Sequence, residues 1–254
     1  MIATQALTLE QAHTLGFALL QEHTMRFAEF VRQLPAGAAD EPIEGSDWNV
    51  GQVVAHVQSV FLRYTQDGRR SETPQGVAQQ NADDVARLGT DMDAAAASIL
   101  EQVAAIEPFV AGTAPERTFP FHGGQQATLT TGWGNALGEL LAHGDDIARA
   151  TGTEFSLPGP DLELFWRWTA SMLQGWVRPE AKRTRESWRL DFPFGPIDVL
   201  LDHGALHWDE PLPAAPDHVV DVEDTVELTL AFPYRRRPIT DPGLALLAAR
   251  FYDL

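Results

Sequence analysis

The chain contains no cysteine. That excludes a disulfide, a thiolate metal site and a cysteine nucleophile, so any thiol chemistry must use a small-molecule thiol as co-substrate. Lysine is almost absent too: Lys182 is the single lysine among 18 basic residues, set against 36 acidic ones for a net charge of −18. A surface this acidic repels phosphate backbones and anionic membrane surfaces, so neither nucleic acid nor membrane is expected as a partner. No stretch of sequence approaches the ~18 consecutive apolar residues of a membrane span. The first residues do not form a basic region followed by an apolar run, and a cytoplasmic location is expected.

What is present is an ordinary globular composition, 44% hydrophobic and 21% charged over 254 residues, enough for one large domain or two smaller ones. Apolar residues at helical spacing predict a first helix from about Leu9 to Leu34, opened by a Thr8/Gln11 capping box. Asn49, with Gln52 three residues on, predicts the start of a second helix that ends near Gln66. Pro74 and Gly76 mark a polar loop, and a third helix is expected from about Ala82 to Ile106. Arg117–Phe121 and Gln125–Thr130 flank His122-Gly123-Gly124 as a hairpin. Thr131 is a candidate cap for a fourth helix to about Thr151, and a fifth is expected from Asp161 to about Val177. Strands are predicted at 188–192, 197–201, 205–208 and 218–222, with helices at 225–232 and 244–251. The fold class is mainly α with a small α+β domain. Residues 1–180 are expected to form a helical bundle and residues 181–254 a small unit packed against it.

Two segments carry chemistry. In Asp47-Trp48-Asn49 and the helix that follows, His56 lies among valines, where an imidazole is costly unless its nitrogens find partners. About ninety residues later, Glu139 and His143 are four apart and project from one helix face. His56, Glu139 and His143 together could hold one divalent ion; two nitrogens and a carboxylate suit zinc, iron, nickel or manganese. Asp146, three residues beyond His143, is placed to accept from a ligand imidazole. The spacing alone is weak, since 36 acids and 8 histidines place about one acid four residues ahead of a histidine by chance. His203 and His207 are also four apart, but Gly204 and the alternating flanks point to strands and to surface or inter-domain positions. His122 is expected in a loop that could rim a pocket, and His13 and His23 are expected to be partly exposed. Trp166, Trp168 and Trp176 read first as helix-packing core.

The motif Asp47-Trp48-Asn49 leading to His56, with Glu139, His143 and Asp146 in the second motif and Ile147 after it, resembles the mycothiol-dependent maleylpyruvate isomerase family of the DinB-like superfamily. The order of motifs, the intervening helix and the hairpin also match, over roughly residues 8 to 180. Ile239-Thr240-Asp241-Pro242-Gly243-Leu244, running into Leu247 and Phe251, is similar to sterol-carrier-like domains. The resemblance implies a DinB-like, up-and-down four-helix bundle followed by a sterol-carrier-like α/β domain. It implies a metal, zinc by preference, on His56, Glu139 and His143, and mycothiol or a similar thiol bound to it as thiolate. It also implies an arginine of the second domain facing the metal, for which Arg235, Arg236 and Arg237 are the candidates. Asp145 departs from the apolar residue usual before the motif's final Asp.

The implied activity is cis-trans isomerisation of, or S-transfer to, a small electrophile, by a monomer or homodimer. Two alternatives stay open: a metal-dependent hydrolase of the same superfamily, with Asp146 as a possible base, and a non-enzymatic small-molecule-binding protein with a cavity lined by the three tryptophans.

Overall fold

In a computed structural model that describes residues 7–252, the chain is a bundle of helices continued by a four-stranded sheet. Helix α1 spans Leu9–Arg32, and its Thr8/Gln11 capping box is formed in both directions. Helix α2 spans Val50–Thr65 and is opened by an equally complete Asn49/Gln52 box. Two expectations fail between α2 and the hairpin. The stretch read as a loop is helix α3, Pro74–Leu88, because Pro74 occupies the first turn after the Thr73 cap, where a missing N–H costs nothing. The single helix expected over 82–106 is broken at Gly89, whose φ of +78° ends α3; Asp91 then caps α4, Met92–Ala111.

By length and hydropathy α4 could span a membrane, contrary to the expectation that no segment could. It instead packs on α1 and α2 through Ala95, Ala96, Ile99 and Val103. Strands β1, Thr118–Pro120, and β2, Gln126–Thr128, form the expected hairpin. Helix α5, Leu129–Thr151, is capped by Thr128 rather than Thr131, which accepts no first-turn N–H and lies inside the helix.

Helices α1, α4, α2 and α5 neighbour one another in that ring order. The consecutive helices α1 and α2 therefore lie diagonally across the bundle, not side by side as in a simple up-and-down arrangement. The segment expected as a fifth α-helix is helical but irregular, with 3₁₀ turns at Gly159–Leu162 and Ala170–Trp176 around a π turn at Phe165–Thr169. His13 and His23 are buried, not partly exposed, and His23 Nε2 meets Asp161 Oδ2 at 2.7 Å.

The sheet, ordered β5-β4-β3-β6, comprises β3, Arg185–Phe192; β4, Gly195–Asp202; β5, Ala205–Trp208; and β6, His218–Asp221. Strands β3, β4 and β5 are antiparallel neighbours, while β6 runs parallel to β3. Trp188, Leu190 and Phe192 alternate inward on the same sheet face as Ile197, Val199 and Leu201, with Trp188 opposite Val199 and Leu190 opposite Ile197. Trp166, fully buried, lies under this sheet: its ring is 4.8 Å from Phe192 and stacks on Trp208, and its Nε1 donates to Thr229. Helices α6, Thr225–Ala231, and α7, Pro242–Ala248, complete the fold. The segment joining them, Pro233–Arg237, lies against α5, through Tyr234 over Gly138 and through two arginines paired with Asp145 and Asp146.

Candidate metal centre

The three residues expected to share an ion come together. His56 Nε2 lies 3.3 Å and His143 Nε2 3.2 Å from Glu139 Oε2. One ligand atom from each residue lies within 4.8 Å of the other two. Donors that share one ion at about 2.1 Å sit roughly 3–3.5 Å apart, which both histidine–glutamate distances match, while the full spread of 4.8 Å would have to close by a few tenths of an ångström or more around an ion. No second group of three such residues converges among the described residues. The helices dictate this meeting. Glu139 and His143 share a face of α5, and α2 packs beside α5 with His56 at its middle. Tyr64, two turns beyond His56, fixes the pair by donating to the Gly132 carbonyl at 2.8 Å.

A second layer orients the first. His143 Nδ1 pairs with Asp146 Oδ2 at 3.2 Å, and Asp146 is held by Arg236 Nε at 2.7 and 3.0 Å. Asp146 thus aims the other ring nitrogen at Glu139 and favours the proton on Nδ1. Burial lowers His56 below the usual imidazole range, offset in part by its bond to Glu139. Burial would lower His143 as well, but the hydrogen bonds to Asp146 and Glu139 lift it to about 9. Burial would raise Glu139, yet the bonds from both histidines hold its carboxyl well below the usual range. Trp48 of the first motif stands 5.3 Å from the His56 ring.

The cluster lines a cavity of about 330 Å³. Of the three candidate arginines, Arg236 lines it. Arg237 forms two bonds to Asp145, at 2.6 and 2.9 Å, and Arg235 donates to the Ala248 carbonyl and lies over the Phe232 ring. The acid at position 145 is therefore the partner of an arginine beside the site. Of the three tryptophans, Trp176 lines the cavity, whereas Trp166 is core beneath the sheet and Trp168 packs against the core from partial burial. His203 and His207 are exposed and paired with Asp202 and Glu210, away from any such cluster. His122 is buried and does rim the cavity.

Among the cavity residues that escaped the sequence reading are Arg63, Tyr64, Arg70, Asn81 and Tyr234. A signal existed for the first two, which follow His56 by seven and eight residues on the same face of α2. Tyr234 offers no periodic signal; it arrives from a non-helical segment and packs over Gly138, where a Cβ would come within 2.2 Å of its hydroxyl.

A model of the mycothiol maleylpyruvate isomerase N-terminal domain matches residues 20–148, half of the chain. A solved crystal structure of the mycothiol-dependent maleylpyruvate isomerase superposes with a TM-score of 0.50 at 17% identity, covering 92% of either chain. No curated protein sequence matches. At that identity the solved structure speaks for the fold alone. The family match covers α2 and α5 and so includes His56, Glu139 and His143, and by it the chain belongs to the mycothiol maleylpyruvate isomerase family of enzymes.

Proposed function

We propose that this enzyme binds a divalent metal, zinc by preference, on His56, Glu139 and His143, and catalyses the thiol-dependent cis-trans isomerisation of a small electrophile with mycothiol as co-substrate. The observation that carries this reading is the convergence of two imidazoles and a carboxylate on a cavity in a chain that has no thiol of its own. A bound divalent ion would favour the thiolate over the thiol, the nucleophile that the chain itself cannot supply.

The protein's residues supply the surroundings. Asp146 holds the His143 ring in the orientation that points Nε2 into the site. Arg236 stands at the cavity wall with cationic N–H groups for charge developing on a carbonyl oxygen. Tyr234, buried against Gly138, keeps its proton because burial pushes its pKa well up, and so presents a donor rather than a charge. Val60, Phe165, Met172 and Leu173 give the cavity apolar walls that limit water around an adduct. In the proposed reaction the thiol sulfur adds to an activated cis double bond, the resulting single bond rotates, and the thiol leaves to give the trans product. S-transfer to the electrophile is the second outcome the same site could support.

The hydrolase alternative is disfavoured by Asp146. The base it would need is already engaged by His143 and Arg236. The test is turnover of maleylpyruvate by metal-loaded protein with and without mycothiol. Isomerisation that requires the thiol supports the proposal. Thiol-independent hydrolysis, or no turnover of any cis-enone with the thiol present, would refute it.

A further inference from the structure

The wall of the cavity built by α2, the segment after it, α3 and the hairpin loop has a chemistry of its own. Arg70 lines the cavity, is partly buried and spends its guanidinium on three backbone carbonyls, those of Arg63, Asp67 and Arg69. Among the described residues it makes no contact with a carboxylate. The nearby acids are taken: Asp67 by the Arg69 guanidinium and Asp84 by Arg63, Arg69 and Arg87. Arg63 is itself buried, and its Nε is without a partner.

The neutral residues beside these arginines are turned the same way. His122 Nδ1 accepts from the Ser71 backbone N–H at 3.2 Å, which leaves the ring proton on Nε2. Burial and the adjacent Arg63 and Arg70 charges hold its pKa down to about 4, so the ring is neutral. Asn81 accepts from Arg63 through Oδ1 at 2.8 Å, so its amide N–H₂ is the end left for a ligand. Arg70, His122 and Asn81 all line the cavity, and each keeps N–H groups that no acceptor among the described residues takes: two of the five on Arg70, Nε2–H of His122 and the amide of Asn81. In a chain of net charge −18, a cavity wall whose Arg70 has no carboxylate partner among the described residues stands out as complementary to an oxyanion.

We propose that Arg70, His122 and Asn81 form an oxyanion subsite that holds a carboxylate of the electrophile, separate from the Arg236 wall beside the metal residues. This rests on the reading of the cavity as the electrophile site and makes Arg70 a specificity-determining residue.

The test measures binding by titration calorimetry without thiol or turnover, so it stands whether or not the isomerase reading does. The probes are crotonate and its neutral isostere crotonamide, added to the metal-loaded protein. Wild type is expected to prefer crotonate by about 10-fold or more, the scale of a charge-assisted hydrogen-bond pair. Arg70→Gln is expected to abolish that preference while leaving crotonamide affinity within about 2-fold, and Arg236→Gln to retain it. Should Arg70→Gln lose its fold by circular dichroism, Asn81→Leu serves instead, with an expected drop in preference of about 3–10-fold. No preference in wild type, an unchanged preference in the folded Arg70 or Asn81 variant, or loss of preference in Arg236→Gln with retention in Arg70→Gln would overturn the assignment.

Discussion

Asp146 bears more on the candidate centre than its place outside the ligand set suggests. It touches both the candidate ligand His143 and the cavity arginine Arg236. Asp146→Asn keeps the shape and removes the charge. It is expected to weaken metal binding by about 10–100-fold, read by competition with a chromogenic chelator, with little change in secondary structure. His122 gives a stability signature. Its folded pKa is about 4 against about 6.5 when unfolded, so between those values the unfolded chain binds the proton and the folded chain does not. Its contribution is thus present above pH ~6.5 and is lost as pH falls toward 4, by up to ~3 kcal/mol. His122→Gln should flatten that part of the denaturation profile, and an unchanged slope would assign it to other groups. At this scale helix spacing made His56, Glu139, His143 and Asp146 candidates, and the family resemblance singled them out from chance pairs. Arg70 and Tyr234 were not legible, because each enters the cavity from a segment with no repeating pattern.

Helices α2 and α5 position the candidate ligands, and what fixes these elements is specific. Gly138 precedes Glu139 and admits the Tyr234 hydroxyl and the Phe165 ring, which an added Cβ would meet at 2.2 and 3.0 Å. Gly138→Ala must displace Tyr234 or Phe165, an overpacking that costs typically about 1–3 kcal/mol. A variant as stable as wild type in urea would show that the close approach is dispensable. Helix α3 is tied to α2 by Arg63 and Asp84, a pair at 2.9 Å with both side chains buried. Asp84→Ala leaves a guanidinium short of its counter-ion and is expected to cost about 3–5 kcal/mol in chemical denaturation. Element type was well read from caps and alternation: both capping boxes, the hairpin and all four sheet strands stand where the residues indicated. The misreadings have identifiable causes. Pro74 can open a helix as well as interrupt one, and Gly89 ends a helix only because the chain turns left-handed there, which composition does not reveal.

Across the whole molecule one hydrophobic core runs from Phe27 and Val54 in the bundle, through Leu140 and Phe165, to Trp188 and Phe251 beyond residue 180. Trp166 joins the two parts, packed on Phe192, Trp208 and Phe232 with its indole N–H satisfied by Thr229. A single cooperative transition is therefore expected by calorimetry. Trp166→Ala is expected to lower stability by about 3–5 kcal/mol, and two well-separated transitions in wild type would make residues 181–254 an independent unit. The packing also has a functional consequence, since Arg236 and Tyr234 reach the cavity only because the C-terminal segment lies on α5. The family resemblance pointed to an arginine from that segment, but which of three consecutive arginines faces the site depends on backbone turns that residue types do not encode.

The most direct test of the central claim is metal content by elemental mass spectrometry of the purified protein, wild type beside His56→Ala. The account predicts close to one divalent ion per wild-type chain and a large loss in the variant with its helical circular dichroism intact. Wild type that holds no metal and takes up none from added zinc, nickel or manganese, or a His56→Ala variant that retains it fully, would contradict the account.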